Sequence, residues 1–303
     1  MLTLKQTGDK SMNFKNGFYT ALGTPLDENG NLVEASLRKH INQQIKAGAS
    51  GLLLMGSMGI EAHIKNSAYA DVARVGADEN GGRLPLLVGV MDNSIIKVKE
   101  KIDMIGNAKF SGVVLTTPFY STVDTDQMVN WFTKIADYSP YPLYLYDLAV
   151  VTKSKITLSV IDSLINHANI KGIKTADWEM IQAIGRKYPD ADFECFYSGL
   201  DAFDYANMMG IGKNLDGMFA CTPVNGKKMY ARVEKGDYAG ARKYLDNILY
   251  LRDTMIENDL MPCFTYCMNL LGCEGNFHED YCLPITKEAK LVMEKTMKDI
   301  GEL

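Results

Sequence analysis

The sequence lacks several features that would assign it at once to a special class of protein. No apolar run approaches the roughly 18 residues of a membrane-spanning helix. The N-terminal stretch MLTLKQTGDKSMNFKN has no apolar centre of the kind found in signal peptides. The net charge of -5 provides no basic surface for nucleic acid, and 47% hydrophobic residues is an ordinary globular composition. We therefore expect a cytoplasmic protein that binds neither membranes nor nucleic acid.

Cysteine pairs of the CxxC type, which are typical of zinc sites, are also absent. Four of the six cysteines fall between residues 263 and 282, where the only nearby histidine is His278. Cys263 and Cys267 are one helical turn apart, a spacing that helical core packing explains better than metal binding does. The sequence predicts free thiols and no metal site, with a zinc site as the weaker alternative.

The chain has no linker rich in Pro, Gly or Ser, but it repeats a pattern of strand followed by helix. Short apolar segments bounded by Gly, Pro or Asp predict the strands. They begin at Gly17, Gly51, Leu84, Gly112, Pro142, Ile170, Asp192 and Leu215. Helical patterns lie between them, for example Met128, Trp131, Phe132 and Ile135, which share one face of a helix.

Eight such units predict a (β/α)8 TIM barrel. Alternating strands and helices form a parallel sheet, and eight units of about 30 residues match the roughly 250 residues of that fold. A doubly wound open sheet is the alternative, but no GxGxxG motif follows the first strand. We expect a polar lead-in over residues 1–16, the barrel over 17–235, and a C-terminal helical extension over 236–303. The extension would cover the barrel or form a subunit interface.

Three predicted strand ends carry side chains that suit one reaction. Catalytic residues of such barrels lie at the carboxyl ends of the strands. Lys174 ends the sixth strand, Tyr146 ends the fifth, and Ser57 lies in a Gly-Ser-Met-Gly turn after the second. A neutral lysine amine attacks a ketone to form a Schiff base, and a tyrosine on the neighbouring strand can transfer the protons. The N–H groups of the turn can hold the carboxylate of a keto acid.

Each of these features has a simpler explanation when it is taken alone. A strand-end lysine is more often solvated, because lysine is rarely buried without a partner. A lone Gly-Ser-Met-Gly turn is more often only a connection between a strand and a helix, and a strand-end tyrosine is more often a packing residue. The three together, at the ends of strands two, five and six, favour a catalytic site.

The chain resembles the dihydrodipicolinate synthase / N-acetylneuraminate lyase family, the pyruvate-type class I aldolases. The resemblance runs from about Phe18 to the C-terminus. It rests on the blocks ALGTPLDENGNL, GLLLMGSMG, TTPFY, YLYD, GIKTA and SGLDA in this order. It implies a (β/α)8 barrel that needs no metal or organic cofactor, because the Schiff base is itself the electron sink. It also implies a homotetramer or homodimer.

The resemblance further implies roles for individual residues. Lys174 would form the Schiff base, Tyr146 would transfer protons to and from the substrate, and Ser57 would join that proton relay. Tyr120 would reach into the site of a neighbouring subunit. The implied substrate-binding residues, at the turn and at other strand ends, are Met58, Gly56, Thr20, Asp201, Ala220 and Cys221.

The chain departs from the family pattern in ways that bear on its substrate. Ile60 replaces the glutamate of the family's turn, Met58 replaces its second hydroxyl residue, and YDLA replaces Tyr-Asn-x-Pro. Val151 stands where the synthase branch carries an arginine for the carboxylate of its second substrate. Lys153 could replace that arginine only if the loop shifts. These departures argue against a true dihydrodipicolinate synthase and suggest a different, less polar acceptor aldehyde.

The leading hypothesis is a lyase that cleaves a 2-keto acid, such as a keto-deoxy sugar acid or a sialic-acid-like compound, to pyruvate and an aldehyde, or runs the reverse addition. A synthase-type condensation and dehydration of a keto-deoxy sugar acid are the enzymatic alternatives. A keto-acid-binding protein with a degenerate site is the non-enzymatic one. An unrelated phosphate-sugar isomerase is disfavoured, because no Gly-rich phosphate loop follows strands seven and eight.

Overall fold

Eight strands close into a parallel barrel in the computed structural model, which describes residues 14–303. Each strand pairs with the next along the chain, and the eighth pairs with the first. The strands are β1 (Gly17–Ala21), β2 (Gly51–Leu54), β3 (Leu86–Gly89), β4 (Gly112–Thr116), β5 (Leu143–Tyr146), β6 (Ile170–Thr175), β7 (Glu194–Tyr197) and β8 (Lys213–Asp216). The prediction of a (β/α)8 barrel is confirmed. Most of the lead-in predicted over residues 1–16 lies outside the described residues.

Helices surround the barrel and continue beyond it to the C-terminus. They are α1 (Glu34–Ala47), α2 (Asn66–Asn80), α3 (Ile95–Ile105), α4 (Thr125–Ala136), α5 (Ala149–Thr152), α6 (Leu158–Leu164), α7 (Trp178–Lys187), α8 (Phe203–Met208), α9 (Pro223–Val233), α10 (Tyr238–Glu257), α11 (Leu260–Leu270) and α12 (Lys287–Asp299). In the part of the chain that is described, no helix is both long and apolar enough to cross a membrane.

Local sequence explains where individual helices begin and end. Asp124 and Gln127 form a reciprocal capping box at the start of α4, and the apolar stripe predicted for that helix is buried. Helix α1 ends at Gly48, whose φ of 87° is a left-handed conformation that favours glycine. Helix α4 contains the apolar face that the sequence predicts, and both helices have residues at their ends that suit a cap.

Short 3₁₀ turns follow three of the strands, at Glu61–His63, Leu200–Ala202 and Met218–Ala220. The third corrects the prediction for the eighth strand, which began at Leu215 and continued through Cys221. The strand is instead Lys213–Asp216, and the apolar residues after it form the turn. Asp216, and not Cys221, is therefore the last residue of β8.

Two apolar regions hold the fold together, one between the barrel and its helices and one inside the barrel. The inner region is aromatic and includes Tyr19, Tyr144 and Phe196. Phe14 packs edge-on against Tyr144 and Phe196, with ring centroids 5.6 and 5.1 Å apart. Edge-to-face geometry of this kind is favoured between aromatic rings. The barrel interior is thus filled, and the site is confined to one end of it.

The C-terminal helices pack against the barrel helices and against each other. Helix α10 contacts α8 and α9, and α12 contacts α10 and α11. Near the C-terminus the carboxylate of Glu302 accepts hydrogen bonds from the N–H groups of Val224 and Asn225, in the first turn of α9. All six cysteines are free thiols, and Cys263 and Cys267 are buried on α11, as their spacing predicted.

Candidate active site

Lys174, Tyr146 and Ser57 meet at the carboxyl ends of their strands. The register of β5 and β6 places Tyr146 directly beside Lys174. The Lys174 side chain is only 7% exposed, and its Nζ lies 3.8 Å from the centroid of the Tyr146 ring. The Tyr146 hydroxyl is 3.0 Å from the Ser57 hydroxyl, with which it shares a hydrogen bond. An amine that could act as a nucleophile thus lies next to a chain of two hydroxyl groups.

The turn after β2 lies beside this group, since it carries Ser57. It is closed by a hydrogen bond of 3.1 Å from the Ile60 N–H to the Ser57 carbonyl. A Cβ atom at Gly59 would lie 2.9 Å from the carbonyl oxygen of Leu22, so only glycine fits there. Among residues 14–303, the N–H groups of Ser57 and Met58 donate to no acceptor. They are the kind of donors that an anionic ligand requires.

Met58 fills the space between this turn and β8. A Cβ atom at Gly217 would lie 2.6 Å from the Cγ of Met58. The Met58 side chain therefore occupies the space that a side chain at position 217 would need. Gly56 is similarly constrained, since a Cβ atom there would approach Leu53 to 2.9 Å. Met58 therefore packs the turn after β2 against Gly217, which follows β8.

A buried ion pair anchors the 3₁₀ turn that follows. Glu61 accepts a hydrogen bond of 2.8 Å from the Lys101 amine, which also lies 3.2 Å from a carboxylate oxygen of Asp92. Burial raises the pKa of Glu61 to about 7, against the opposing effect of Lys101. Ile60, just before it, has a φ of 47°, a strained value for a β-branched residue. This chain thus has a glutamate one residue after the position at which the family pattern carries one.

A cavity of about 540 Å³ opens beside Lys174 and Tyr146. It is lined by Tyr146, Asp147, Leu148, Ala149, Val150, Lys155, Lys174, Ala176, Asp177, Ser198 and Asp216. Its size suits a small-molecule ligand. A second cavity of about 560 Å³ lies at the amino-terminal ends of β7 and β8, away from Lys174. The chemistry of this fold belongs to the carboxyl ends of the strands, so the first cavity is the candidate site.

One wall of the cavity is a cluster around Asp147. Its carboxylate forms an ion pair with Lys155 and accepts hydrogen bonds from the Thr175 hydroxyl at 2.8 Å and the Ile156 N–H at 3.2 Å. Lys155 also lies 2.9 Å from a carboxylate oxygen of Asp177. Although burial opposes it, this pairing raises the pKa of Lys155. Sequence reasoning missed Lys155, because it lies in a loop after β5 and not at a strand end.

Asp216 adds a third carboxylate to the cavity. It ends β8, is partly exposed, and accepts a hydrogen bond of 2.8 Å from the Met218 N–H. Burial raises the pKa of Asp216, while that hydrogen bond and the charge of Lys174 oppose the rise. The sequence prediction missed Asp216 because it placed the end of the eighth strand too late.

Thr20 does not face the cavity, contrary to its assignment as a substrate-binding residue. Side chains alternate along a strand, and Tyr19 and Ala21 point into the barrel. Thr20 therefore points outward, where its hydroxyl donates a hydrogen bond of 2.9 Å to Gln44 of α1. It connects the barrel to its helical layer.

Ser57, Met58 and Gly56 do not line the cavity either, although Ser57 is hydrogen-bonded to Tyr146. Three further predicted residues lie apart from it. Ala220 and Cys221 are fully buried in and after the turn that follows β8, where the Ala220 carbonyl accepts a hydrogen bond from Gln44. The Asp201 carboxylate is turned towards α10 and held by two hydrogen bonds of 2.7 and 2.9 Å from Arg252. Ala220 and Cys221 were assigned to the site because the eighth strand was predicted to end too late. The Asp201 carboxylate is already engaged in an ion pair.

Tyr120 lies on the loop after β4 and is 90% exposed. The side chain of Asn93 fixes this loop by accepting hydrogen bonds from the N–H groups of Phe119 and Tyr120, at 2.9 and 2.7 Å. Tyr120 does not line the cavity of its own chain. Elsewhere, no three His, Cys, Asp or Glu side chains of the described residues converge as a metal site.

Comparison with known proteins is consistent with this geometry. The model of the dihydrodipicolinate synthetase family matches residues 14–300. A 4-hydroxy-tetrahydrodipicolinate synthase of Bradyrhizobium diazoefficiens is 27% identical over 290 residues, which are 94% of this chain and 96% of that protein. Another, of Methanospirillum hungatei, is 30% identical over 232 residues, which are 75% of this chain and 79% of that protein.

Solved structures share the fold at lower identity. A dihydrodipicolinate synthase of Bacillus anthracis superposes with a TM-score of 0.86 at 21% identity, covering 95% of this chain and 98% of its own. The protein CdNal of Clostridium difficile, solved in complex with mannosamine, has a TM-score of 0.86 at 18% identity and covers 95% and 100%. Because the family model spans almost the whole described chain, the protein belongs to the dihydrodipicolinate synthetase family, whose members are pyruvate-dependent aldolases and lyases that form a Schiff base.

Proposed function

We propose that this enzyme cleaves a 2-keto acid to pyruvate and an aldehyde through a Schiff base on Lys174, or catalyses the reverse addition. The observation that carries the proposal is the group at the cavity mouth. The buried Lys174 amine lies 3.8 Å from the Tyr146 ring, and the Tyr146 hydroxyl is hydrogen-bonded to Ser57. A protein that only bound a keto acid would need no such route for protons.

The first stage is formation of the imine. The Lys174 amine attacks the ketone carbon, and the carbinolamine loses water as protons pass through the Tyr146 and Ser57 hydroxyls. The N–H groups of Ser57 and Met58 hold the substrate carboxylate. No metal or organic cofactor takes part in this scheme, because the protonated imine accepts the electrons of the next step.

The second stage is cleavage of the carbon–carbon bond. Tyr146 takes the proton from the hydroxyl beyond the scissile bond, the bond breaks, and its electrons move into the imine to give an enamine. The aldehyde leaves. Protonation of the enamine carbon and hydrolysis of the imine then release pyruvate and restore the amine of Lys174.

Reductive trapping tests this proposal. The protein is incubated with pyruvate, reduced with borohydride, and digested for peptide mass spectrometry. We expect a pyruvate-derived adduct on Lys174 that is lost in Lys174→Ala. Lys155 is the matched internal control, because it lines the same cavity and carries an amine held by two carboxylates. An adduct on Lys155, or one spread over surface lysines, would refute the assignment of Lys174.

Two other reactions use the same imine. The relatives named above are 4-hydroxy-tetrahydrodipicolinate synthases, so a synthase-type condensation is one candidate. Val151, at the position of the synthase branch's arginine, is more than half exposed, and Lys153 donates its amine hydrogen bond to the Val150 carbonyl at 2.7 Å. Neither offers a positive charge to the cavity, which favours cleavage over this condensation.

Dehydration of a keto-deoxy sugar acid is the other candidate. Product analysis distinguishes it from cleavage, because dehydration releases no aldehyde.

The exposed position of Tyr120 supports an oligomer. The Tyr120 side chain is 90% exposed on a loop that is fixed by Asn93, and so large an exposed aromatic side chain supports a contact with another subunit. We propose that it completes the proton relay in the neighbouring subunit of a homodimer or of a homotetramer built from such dimers.

A further inference from the structure

The cavity beside Lys174 carries more negative than positive charge. Besides Lys174, its ionisable lining consists of three aspartates, a tyrosine and one lysine: Asp147, Asp177, Asp216, Tyr146 and Lys155. In the function proposed above, Lys174 and the turn after β2 hold the keto-acid half of the substrate. The other charged residues that line the cavity then lie nearest the aldehyde half, so they bear on which aldehyde the enzyme accepts. The inference that follows rests on the function proposed above.

Lys155 is already committed to two carboxylates. It is paired with Asp147, whose side chain is only 3% exposed, and with Asp177 at 2.9 Å. An acidic group of the substrate could take this amine only by displacing Asp177, and it would then lie beside the released carboxylate. The N–H of Met180 and the amine of Lys155 hold the pKa of Asp177 below its usual range although burial opposes this, so Asp177 keeps its charge at neutral pH.

Apart from Lys174 and Lys155, no cation among the described residues lines the cavity. Of the residues described, none that lines the cavity is an arginine. Burial raises the pKa of Asp216, and the charge of Arg252 opposes that rise. The guanidinium of Arg252, however, is bound by both carboxylate oxygens of Asp201 and by Asp253 at 2.7 Å. Lys153 is turned away, with its amine on the Val150 carbonyl.

We propose that Asp216 and the Asp147–Lys155–Asp177 cluster determine which aldehydes the enzyme accepts. They exclude aldehydes that carry a carboxylate or phosphate group and admit those that carry hydroxyl or ammonium groups. The carboxylate oxygens accept hydrogen bonds from hydroxyl or ammonium groups, and Lys155 has one N–H beyond those used by its two partners. A carboxylate or phosphate group would meet three aspartates among the described residues that line the cavity, and there, apart from Lys174, the one cation, Lys155, is already paired.

The experiment compares aldehydes that share a carbon skeleton and differ in charge. One set is mannose, mannosamine and mannuronate, and the other is glyceraldehyde and glyceraldehyde 3-phosphate. The measured quantity is kcat/KM for addition to pyruvate. We expect the acidic member of each set to be at least about tenfold poorer than its neutral partner, since like charges repel strongly at a partly buried site. An acidic member equal to or better than its neutral partner overturns the proposal.

Two variants separate the roles of the charges. Asp216→Asn should narrow the difference between acidic and neutral aldehydes, whereas Lys155→Met should not. If Lys155→Met instead abolishes activity with the acidic aldehydes alone, Lys155 binds their acidic group and the proposal is wrong. Asp192→Asn is the matched control, because it also removes one negative charge. Asp192 is exposed, pairs with Lys171, and lies just before β7, at the end of the barrel away from the cavity.

The failure of this inference is distinguishable from the failure of the proposed function. Trapping of pyruvate on Lys174 needs no aldehyde, so it reports on the imine alone. If the adduct forms but no neutral or ammonium-bearing aldehyde in either set reacts, the specificity proposal is refuted and the imine mechanism stands. If no adduct forms, the proposed function fails first.

Discussion

At the scale of single residues, Tyr146 has two roles that can be separated. Its ring packs against the Lys174 amine, and its hydroxyl shares a hydrogen bond with Ser57. A phenylalanine would keep the ring and remove the hydroxyl. The effect of that change therefore measures proton transfer and not the packing around the lysine.

We expect Tyr146→Phe to slow exchange of the pyruvate methyl protons with deuterium by about 10²- to 10⁴-fold, the usual contribution of a positioned acid or base. NMR of pyruvate in deuterium oxide measures this rate without any aldehyde. Tyr144→Phe is the control, because Tyr144 lies on the same strand and also points into the barrel. Equal losses in both variants, or no loss in Tyr146→Phe, would contradict the relay.

His40 is a residue whose replacement should stabilise the protein. It is fully buried on α1, and neither ring nitrogen has a hydrogen-bond partner among residues 14–303. An unpaired buried polar group costs about 1–3 kcal/mol. We expect His40→Leu to raise the free energy of unfolding by about that amount, measured by urea titration at pH 8. A loss of stability would show that the ring makes a hydrogen bond in solution.

The same residue has a predictable effect on acid stability. Burial lowers the pKa of His40 to about 3, from an ordinary value of 6.5. Between those values the unfolded chain binds more protons than the folded one, so the contribution of His40 to stability falls as the pH falls from 6.5 towards 3. The His40→Leu variant should lose less stability than the parent over that range.

The sequence predicted which residues lie together where strand ends alone decide the position. Lys174, Tyr146 and Ser57 lie together because the barrel brings the ends of its strands to one side. The outward direction of the Thr20 side chain could not be predicted, because strands of a parallel sheet are buried on both faces and their apolar residues show no alternation. Lys155 has no local signal, since its position depends on how a loop folds back onto β6.

At the scale of elements, the eight strands and most helices could be predicted from apolar runs and their boundaries. The exception, β8, contains Lys213 and Asn214, which are polar for defined reasons. Lys213 pairs with Glu194 of β7 at 2.6 Å, and Asn214 is buried and hydrogen-bonded to Asn207 and Tyr230. Because these polar side chains have partners on other elements, β8 forms without an apolar pattern in its sequence. The prediction therefore followed the apolar residues that come after it and placed the strand end beyond Asp216.

The link between the turn after β2 and helix α3 gives a prediction at this scale. Lys101 of α3 is the cation that compensates buried Glu61. Removing one partner of a buried ion pair costs about 3–5 kcal/mol, because the other charge is left unpaired. We expect Lys101→Met to lose stability of that order at pH 8.5, where Glu61 is ionised, and to lose less at pH 5.5, where its carboxyl is protonated.

The sign of this pH dependence follows from the pKa of Glu61, which burial raises to about 7 from 4.5. Between these values the folded protein binds more protons than the unfolded chain, so the Glu61 contribution to stability falls as the pH rises. Glu61→Gln removes the titrating group, and the double variant with Lys101→Met should recover most of the loss. Denaturation curves at the two pH values measure all three variants. A loss in Lys101→Met that is equal at both would contradict this account.

At the scale of the whole molecule, closure of the barrel brings together groups that lie far apart in the chain. The candidate site draws on the ends of β5, β6 and β8 and on Ser57 after β2, and Tyr120 on the loop after β4 lies outside the cavity of its own chain. If Tyr120 acts in the site of a neighbouring subunit, a complete site requires two chains. The assembly and the chemistry then depend on each other.

Mixing two inactive variants tests this dependence. Tyr120→Ala damages the neighbour's site, whereas Lys174→Ala damages its own. In a hybrid dimer, the chain that carries Tyr120→Ala keeps its Lys174 and receives Tyr120 from its partner, so one site is intact. After dissociation and random reassociation, half of the dimers are hybrids, and we expect about one quarter of the wild-type rate of pyruvate proton exchange.

The control is a mixture of Lys174→Ala with Tyr146→Phe. Both residues belong to the site of their own chain, where the Lys174 amine lies 3.8 Å from the Tyr146 ring, so neither site of a hybrid is intact and no activity should return. Native mass spectrometry confirms that hybrids have formed in both mixtures. Recovery in the first mixture alone places Tyr120 in the neighbour's site. Equal behaviour of the two mixtures, with hybrids present, would mean that each chain carries its whole site and that Tyr120 is exposed for another reason.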